Sequence, residues 1–121
     1  MLLIVDDDPD FLADATHLLT LSRGVLLAGS AEQARNLLAT VGDQISVVMV
    51  DLNLPGQDGF SFIVDLRSKY PQLPVIAISG VSSLDVLESA KVLGAKEALR
   101  KPIDCEWGDA IRRARGPRSR S

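Results

Sequence analysis

The sequence predicts an α/β fold: a doubly wound five-stranded parallel sheet alternating with five helices. Three observations predict it. Short apolar runs recur at residues 2–5, 25–28, 45–50, 75–78 and 97–99. Four of the five are apolar nearly throughout instead of alternating, as strands covered on both faces are. Segments of helical period separate the runs, with connections so short that parallel strands joined by right-handed crossovers are the simplest arrangement.

Leu2 to Val5 forms the first strand, and Asp8 then acts as N-cap with Pro9 at the first helical position. Phe11, Leu12, Ala15, Leu18 and Leu19 share one face of that helix, which Gly24 is expected to close. Val25 to Ala28 is the second strand. Ser30 and Gln33 make a capping-box pattern before the stripe Ala34, Leu37, Leu38 and Val41. Ile45 to Val50 is the third strand, and Gly59 opens a third helix carrying Phe60, Ile63, Leu66 and Tyr70, stopped by Pro71. After the fourth strand, Val75 to Ile78, Ser82 and Asp85 start a helix with Val86, Leu87, Ala90 and Leu93 inward and Gly94 at C′. Glu97 to Leu99 is the last strand. Asp104 caps the fifth helix, where Trp107, Ala110, Ile111 and Ala114 line up to pack on the sheet.

Composition agrees with one domain and excludes several classes of function. The chain has 121 residues, 46% apolar and 24% charged, which suits a globular core and not a disordered, collagenous or coiled-coil protein. No apolar run approaches the roughly 20 residues of a membrane span, and Met1 to Val5 followed by Asp6 lacks the basic start of a secretory signal. The single cysteine, Cys105, excludes an internal disulfide and points to a reducing cytoplasm; it is expected to be a partly buried small residue. The net charge of −3 hides an asymmetry: residues 112–120 hold five arginines, so residues 1–111 carry 16 acids against eight bases. That acidic balance is wrong for direct nucleic-acid binding by the folded part. The expected division is a domain over 1–115 and a tail or linker stub over 116–121. His17 is expected to be solvated.

In a doubly wound sheet the ligand site lies at the carboxyl ends of the strands. Asp6, Asp7 and Asp8 follow the first strand, Asp51 the third, Ser79 and Gly80 the fourth, and Lys101 and Pro102 the fifth. Carboxylates crowded on one rim repel one another, each pair at about 4 Å costing on the order of 4 kcal/mol even in a surface-like dielectric. They call for a cation, and hard oxygen donors without His or Cys favour Mg²⁺. Asp8 and Asp10 are better read as helix-capping acids, which favour a helix N-terminus by about 0.3–1 kcal/mol. A carboxylate, a divalent ion, the Lys101 ammonium and the Ser79 hydroxyl together suit phosphoryl transfer. With no P-loop or dinucleotide glycine pattern, a nucleotide is not the expected donor, and an aspartate is the candidate nucleophile.

Val5-Asp6-Asp7-Asp8-Pro9, the stretch Val48 to Gly59 around Asp51-Leu52-Asn53-Leu54-Pro55-Gly56-Gln57-Asp58, then Ile78-Ser79-Gly80, Gly94-Ala95 and Lys101-Pro102 resemble the receiver domain of two-component response regulators. The likeness spans residues 1 to about 115. It implies a flavodoxin-like strand order 2-1-3-4-5, taken from the family and not from periodicity. It implies that Asp51 is the phosphoacceptor for a sensor histidine kinase or histidine phosphotransfer protein. Mg²⁺ would be held by Asp7, Asp51 and the backbone carbonyl of Asn53, with Asp6 helping through water. Lys101 would pair with the acyl phosphate and Ser79 would bond a phosphoryl oxygen. Backbone N–H groups of Asn53 and Gly80 would complete the cradle, and the peptide before Pro102 would be cis. Output would pass through the face of the fourth helix, fifth strand and fifth helix, where a homodimer could also form. Catalysis would be limited to self-phosphorylation and self-dephosphorylation, so the product is a signal.

Three positions depart from the family pattern. Gly80 replaces the usual Ala and implies a looser loop. Ala98 stands where many members carry Tyr or Phe, so no ring is there to move on activation. Val81 is apolar where side chains tune access of hydrolytic water, which suggests slower self-dephosphorylation. Two other readings compete. A degenerate receiver would bind a partner or dimerise without phosphate, which Ala98 encourages. A haloacid-dehalogenase-like phosphatase would need an Asp-x-Asp pair and a cap, but Asp51-Leu52-Asn53 lacks the second acid and the chain has no room for a cap.

Overall fold

A computed structural model describes residues 1–19, 24–54, 59–80, 84–101, 103 and 106–115, with the backbone alone described at 17–19 and 84–86. The elements are β1 (Leu2–Val5), α1 (Pro9–Leu19), β2 (Val25–Ala28), α2 (Ala31–Val41), a 3₁₀ turn (Gly42–Gln44), β3 (Val47–Asp51), α3 (Gly59–Lys69), β4 (Val75–Ser79), α4 (Leu84–Leu93), β5 (Glu97–Arg100) and α5 (Glu106–Arg115). All strand pairs are parallel and the order is β2-β1-β3-β4-β5, as expected. Among the described residues, no helix is long and apolar enough to cross a membrane.

Strand alternation divides the core into two layers. Leu3, Val5, Val48, Val50, Val75 and Ala77 face α2, α3 and α4, meeting Ala34, Leu38, Phe62, Leu66 and Ala90. Leu2, Ile4, Val47, Met49, Ile76, Ile78 and Leu99 face α1 and α5, meeting Phe11, Ala15, Trp107, Ala110 and Ile111. Trp107 is buried against the sheet as the sequence suggests. Its ring and that of Phe11 lie tilted at 5.8 Å between centroids.

Several local expectations hold. The Asp8 carboxylate accepts from the Asp10 N–H at 3.0 Å and the Asp8 carbonyl from the Leu12 N–H at 3.0 Å, so Asp8 caps α1. The Ser30 hydroxyl accepts from the Gln33 N–H at 3.1 Å, while the Gln33 side chain reaches back one residue further, to the Gly29 N–H. Gly94 at φ +130° ends α4 in a Schellman arrangement: its N–H donates to the Lys91 carbonyl and the Ala95 N–H to that of Ala90.

Other boundaries shift. β3 begins at Val47 and not at Ile45, because the Ile45 N–H turns back to the Gly42 carbonyl of the 3₁₀ turn, although the side chain stays buried. β3, β4 and β5 each run one residue further than the apolar runs, taking in Asp51, Ser79 and Arg100. Gly24, at φ +123°, sits at the entry to β2, its carbonyl accepting from the Leu2 N–H. The expectations on the caps Ser82 and Asp104, the Asp85 side chain, the loops at Pro55 to Asp58 and Val81, Pro102, Cys105, the His17 side chain and the tail 116–121 fall outside what is described.

Candidate functional site

The site is assembled by strand parity. Asp6 continues the Leu2–Ile4 side of β1, Asp51 the Val47–Met49 side of β3, and Lys101 the Leu99 side of β5, so all three reach the rim on the α1/α5 side of the sheet. The ladder itself carries them there. The Asp6 N–H donates to Ala28, the Leu52 N–H to Ile78 and the Lys101 N–H to Ser79, each at 2.9 Å.

Carboxylate oxygens of Asp6, Asp7 and Asp51 lie within 4.8 Å of one another. Asp6 and Asp51 are buried and Asp7 is exposed, so the cluster has a closed floor and an open mouth. Lys101 Nζ is 2.7 Å from Asp6 Oδ2 and 3.8 Å from Asp51 Oδ2. Asp6 Oδ1 accepts from the Asp8 N–H at 2.9 Å, but buried Oδ2 has only the ion pair and no directed hydrogen bond. Three carboxylates converging within 4.8 Å against a single ammonium, with no His or Cys in the cluster, make a donor set that fits a hard divalent cation such as Mg²⁺.

Asp51 is held in place by its neighbours. Its Oδ1 accepts from the Asn53 N–H at 3.1 Å, which places that donor beside the carboxylate it would serve. Burial pushes the Asp51 carboxyl up to about 6; the Asn53 N–H opposes this, the Asp6 charge adds to it and Lys101 opposes it. Burial alone would lower Lys101, but the contact with Asp6 and the charges of Asp51, Asp6 and Asp8 outweigh it and hold the ammonium above its ordinary value. Lys101 is therefore a fixed cation at neutral pH.

Gly59 is what lets α3 start directly beneath Asp51. A Cβ there would lie 2.5 Å from Leu52 Cα and 2.6 Å from the Asp51 carbonyl, both backbone atoms that cannot yield. Ser79 is buried at the end of β4, and alternation puts it on the Val75–Ala77 side, opposite to Asp51 and Lys101. Gly80 is exposed beside the Lys101 side chain, in ordinary contact and with room for a Cβ. Ala98 pairs with Ala77 and packs against the α2/α3/α4 layer.

One site residue escaped the sequence reading. Phe11, assigned to the core, lies with its ring centroid 4.4 Å from Lys101 Nζ. Its only signal in the sequence is its place on the first turn of α1, directly after the acidic cluster.

Comparison with known proteins agrees with this geometry. The family model for the response regulator receiver domain matches residues 2–108. The transcriptional regulatory protein MalR of Bacillus subtilis is 32% identical over 105 residues, covering 86% of this chain and 45% of the relative. The response regulator protein PilR of Pseudomonas aeruginosa is 33% identical over 107 residues, covering 84% of this chain and 23% of the relative. This chain thus spans less than half the length of these curated relatives. The crystal structure of a response regulator receiver domain protein from Clostridium thermocellum superposes with a TM-score of 0.85 at 29% identity, covering 93% of this chain and 91% of that one.

Proposed function

The chain belongs to the receiver domain family of two-component response regulators, and from that premise we propose that Asp51 is the residue that takes the phosphoryl group. One observation carries the reading: Asp6, Asp7 and Asp51 share a pocket of carboxylate oxygens, with the Lys101 ammonium 2.7 Å from Asp6 and 3.8 Å from Asp51. The donor is a phosphohistidine of a sensor kinase or of a phosphotransfer protein. An Asp51 oxygen attacks phosphorus in line, the P–N bond breaks as the P–O bond forms, and the imidazole leaves with its proton.

Asp7, Asp51 and the Asn53 carbonyl would hold Mg²⁺, with Asp6 behind them. When bound, the ion neutralises charge on the phosphoryl oxygens and on the crowded carboxylates. Lys101 supplies a second positive charge to a phosphoryl oxygen. The Asn53 N–H, already 3.1 Å from Asp51 Oδ1, and the Gly80 N–H donate to the others. Ser79 contributes its hydroxyl by turning across from the opposite side of the strand. Turnover is confined to gain and loss of this one group, and the signal leaves through α4, β5 and α5, a face that also offers a homodimer contact. The degenerate-receiver alternative is not favoured, since the acids and the lysine lie together.

Beryllofluoride with Mg²⁺ tests this by NMR. The expected result is a saturable, Mg²⁺-dependent set of shift changes centred on Asp51, Asn53 and Lys101, abolished in Asp51→Asn. No Mg²⁺-dependent response would remove the reading.

A further inference from the structure

Lys101 must keep its ammonium at one point although its stem has four rotatable bonds and about 2 kcal/mol of rotamer entropy. Two carboxylates attract it from the rim side. A third surface meets it from α1: the Phe11 ring, centroid 4.4 Å from Nζ, within the range where a cation is drawn to an aromatic face. Phe11 is itself fixed. Its ring is 7% exposed and braced at 5.8 Å by Trp107, which is 1% exposed on α5. Asp8 caps the turn that carries it.

We propose that Phe11 is a positioning residue for phosphoryl transfer, holding the Lys101 ammonium over its ring and within reach of Asp6 and Asp51. The proposal rests on the phosphoacceptor reading of this site. An aliphatic side chain could fill the same volume, but it would offer Lys101 no negative face. The lysine would then spend more time in rotamers pointing to water, where its charge is screened from an incoming phosphoryl oxygen.

The test compares Phe11→Leu, which keeps apolar bulk, with Phe11→Tyr, which keeps the ring. With acetyl phosphate and saturating Mg²⁺, the rate constant for modifying Asp51 is expected to fall about five- to twenty-fold in Phe11→Leu and to stay within about two-fold of wild type in Phe11→Tyr. Equal rates in wild type and Phe11→Leu would overturn the proposal. A second readout needs neither metal nor phosphate: a double-mutant cycle of Phe11→Leu and Lys101→Met, read as the unfolding equilibrium constant in chelator. A coupling of about three- to ten-fold is expected. Strict additivity would show that Phe11 only packs, and would overturn the proposal. Wild-type protein that takes up no phosphoryl group would instead overturn the phosphoacceptor reading, and the cycle would still decide the Phe11–Lys101 contact.

Discussion

Lys101 Nζ lies 2.7 Å from Asp6 Oδ2, joining the end of the last strand to the end of the first across the middle of the sheet. Asp6 is fully buried and the Lys101 side chain is 19% exposed, and removing the cation leaves the buried Asp6 charge uncompensated. Lys101→Met should therefore lower the stability of the metal-free protein at pH 7 by on the order of 3 kcal/mol. Urea denaturation in chelator checks this, and saturating Mg²⁺ should recover part of the loss by supplying the missing positive charge.

Asp51 should act in the opposite sense. Its carboxyl titrates at about 6 when folded against an ordinary 3.8, so between these values the folded state holds more of the proton than the unfolded state. The stability tied to this group is fully present below about pH 4 and is lost as pH rises through about 6. Asp51→Asn removes that loss. In chelator the variant should match wild type near pH 4 and exceed it by about 1–3 kcal/mol above pH 7. Melts across that range measure the gap; a gap that narrows as pH rises would contradict the account.

Mg²⁺ should stabilise the wild-type domain by mass action, by about 2.7 kcal/mol at one hundred times its dissociation constant. Asp7 is the exposed member of the cluster and little else depends on it. Asp7→Asn should leave the chelator melt nearly unchanged and remove most of the Mg²⁺-induced rise in Tm.

Gly59→Ala forces a Cβ onto the backbone of Leu52 and Asp51. A cost of about 1–3 kcal/mol is expected, from a small residue made only slightly larger. Because the displaced atoms carry Asp51, phosphorylation should slow even at temperatures where the variant is fully folded. Urea melts together with the rate of adduct formation separate the two effects.

Much of the site was legible because each key residue ends a strand and the two-residue period decides its side. Leu2, Ile4 and Asp6 form one such series, Val47, Met49 and Asp51 another. Asp8, Ser30 and Gly94 were legible as caps, since capping depends on near neighbours along the chain, two to five residues away here. What escaped depends on distances between remote parts of the chain. Nothing local tells that the ring at position 11 meets the ammonium at position 101. Nor does an apolar run tell where its hydrogen bonds begin: Ile45 is buried like its neighbours, yet its N–H belongs to the turn before it. The polar start of β5 is explained only by α5, where Arg113 meets Glu97 at 3.0 Å.

The central claim is that Asp51 accepts the phosphoryl group, and mapping the adduct tests it most directly. Incubation with acetyl phosphate and Mg²⁺, followed by mass spectrometry of the intact protein and its peptides, should give one phosphoryl group per chain, on Asp51. The adduct should need Mg²⁺ and be lost in Asp51→Asn. Modification elsewhere, or none at all in the folded wild-type protein with Mg²⁺ present, would contradict the account.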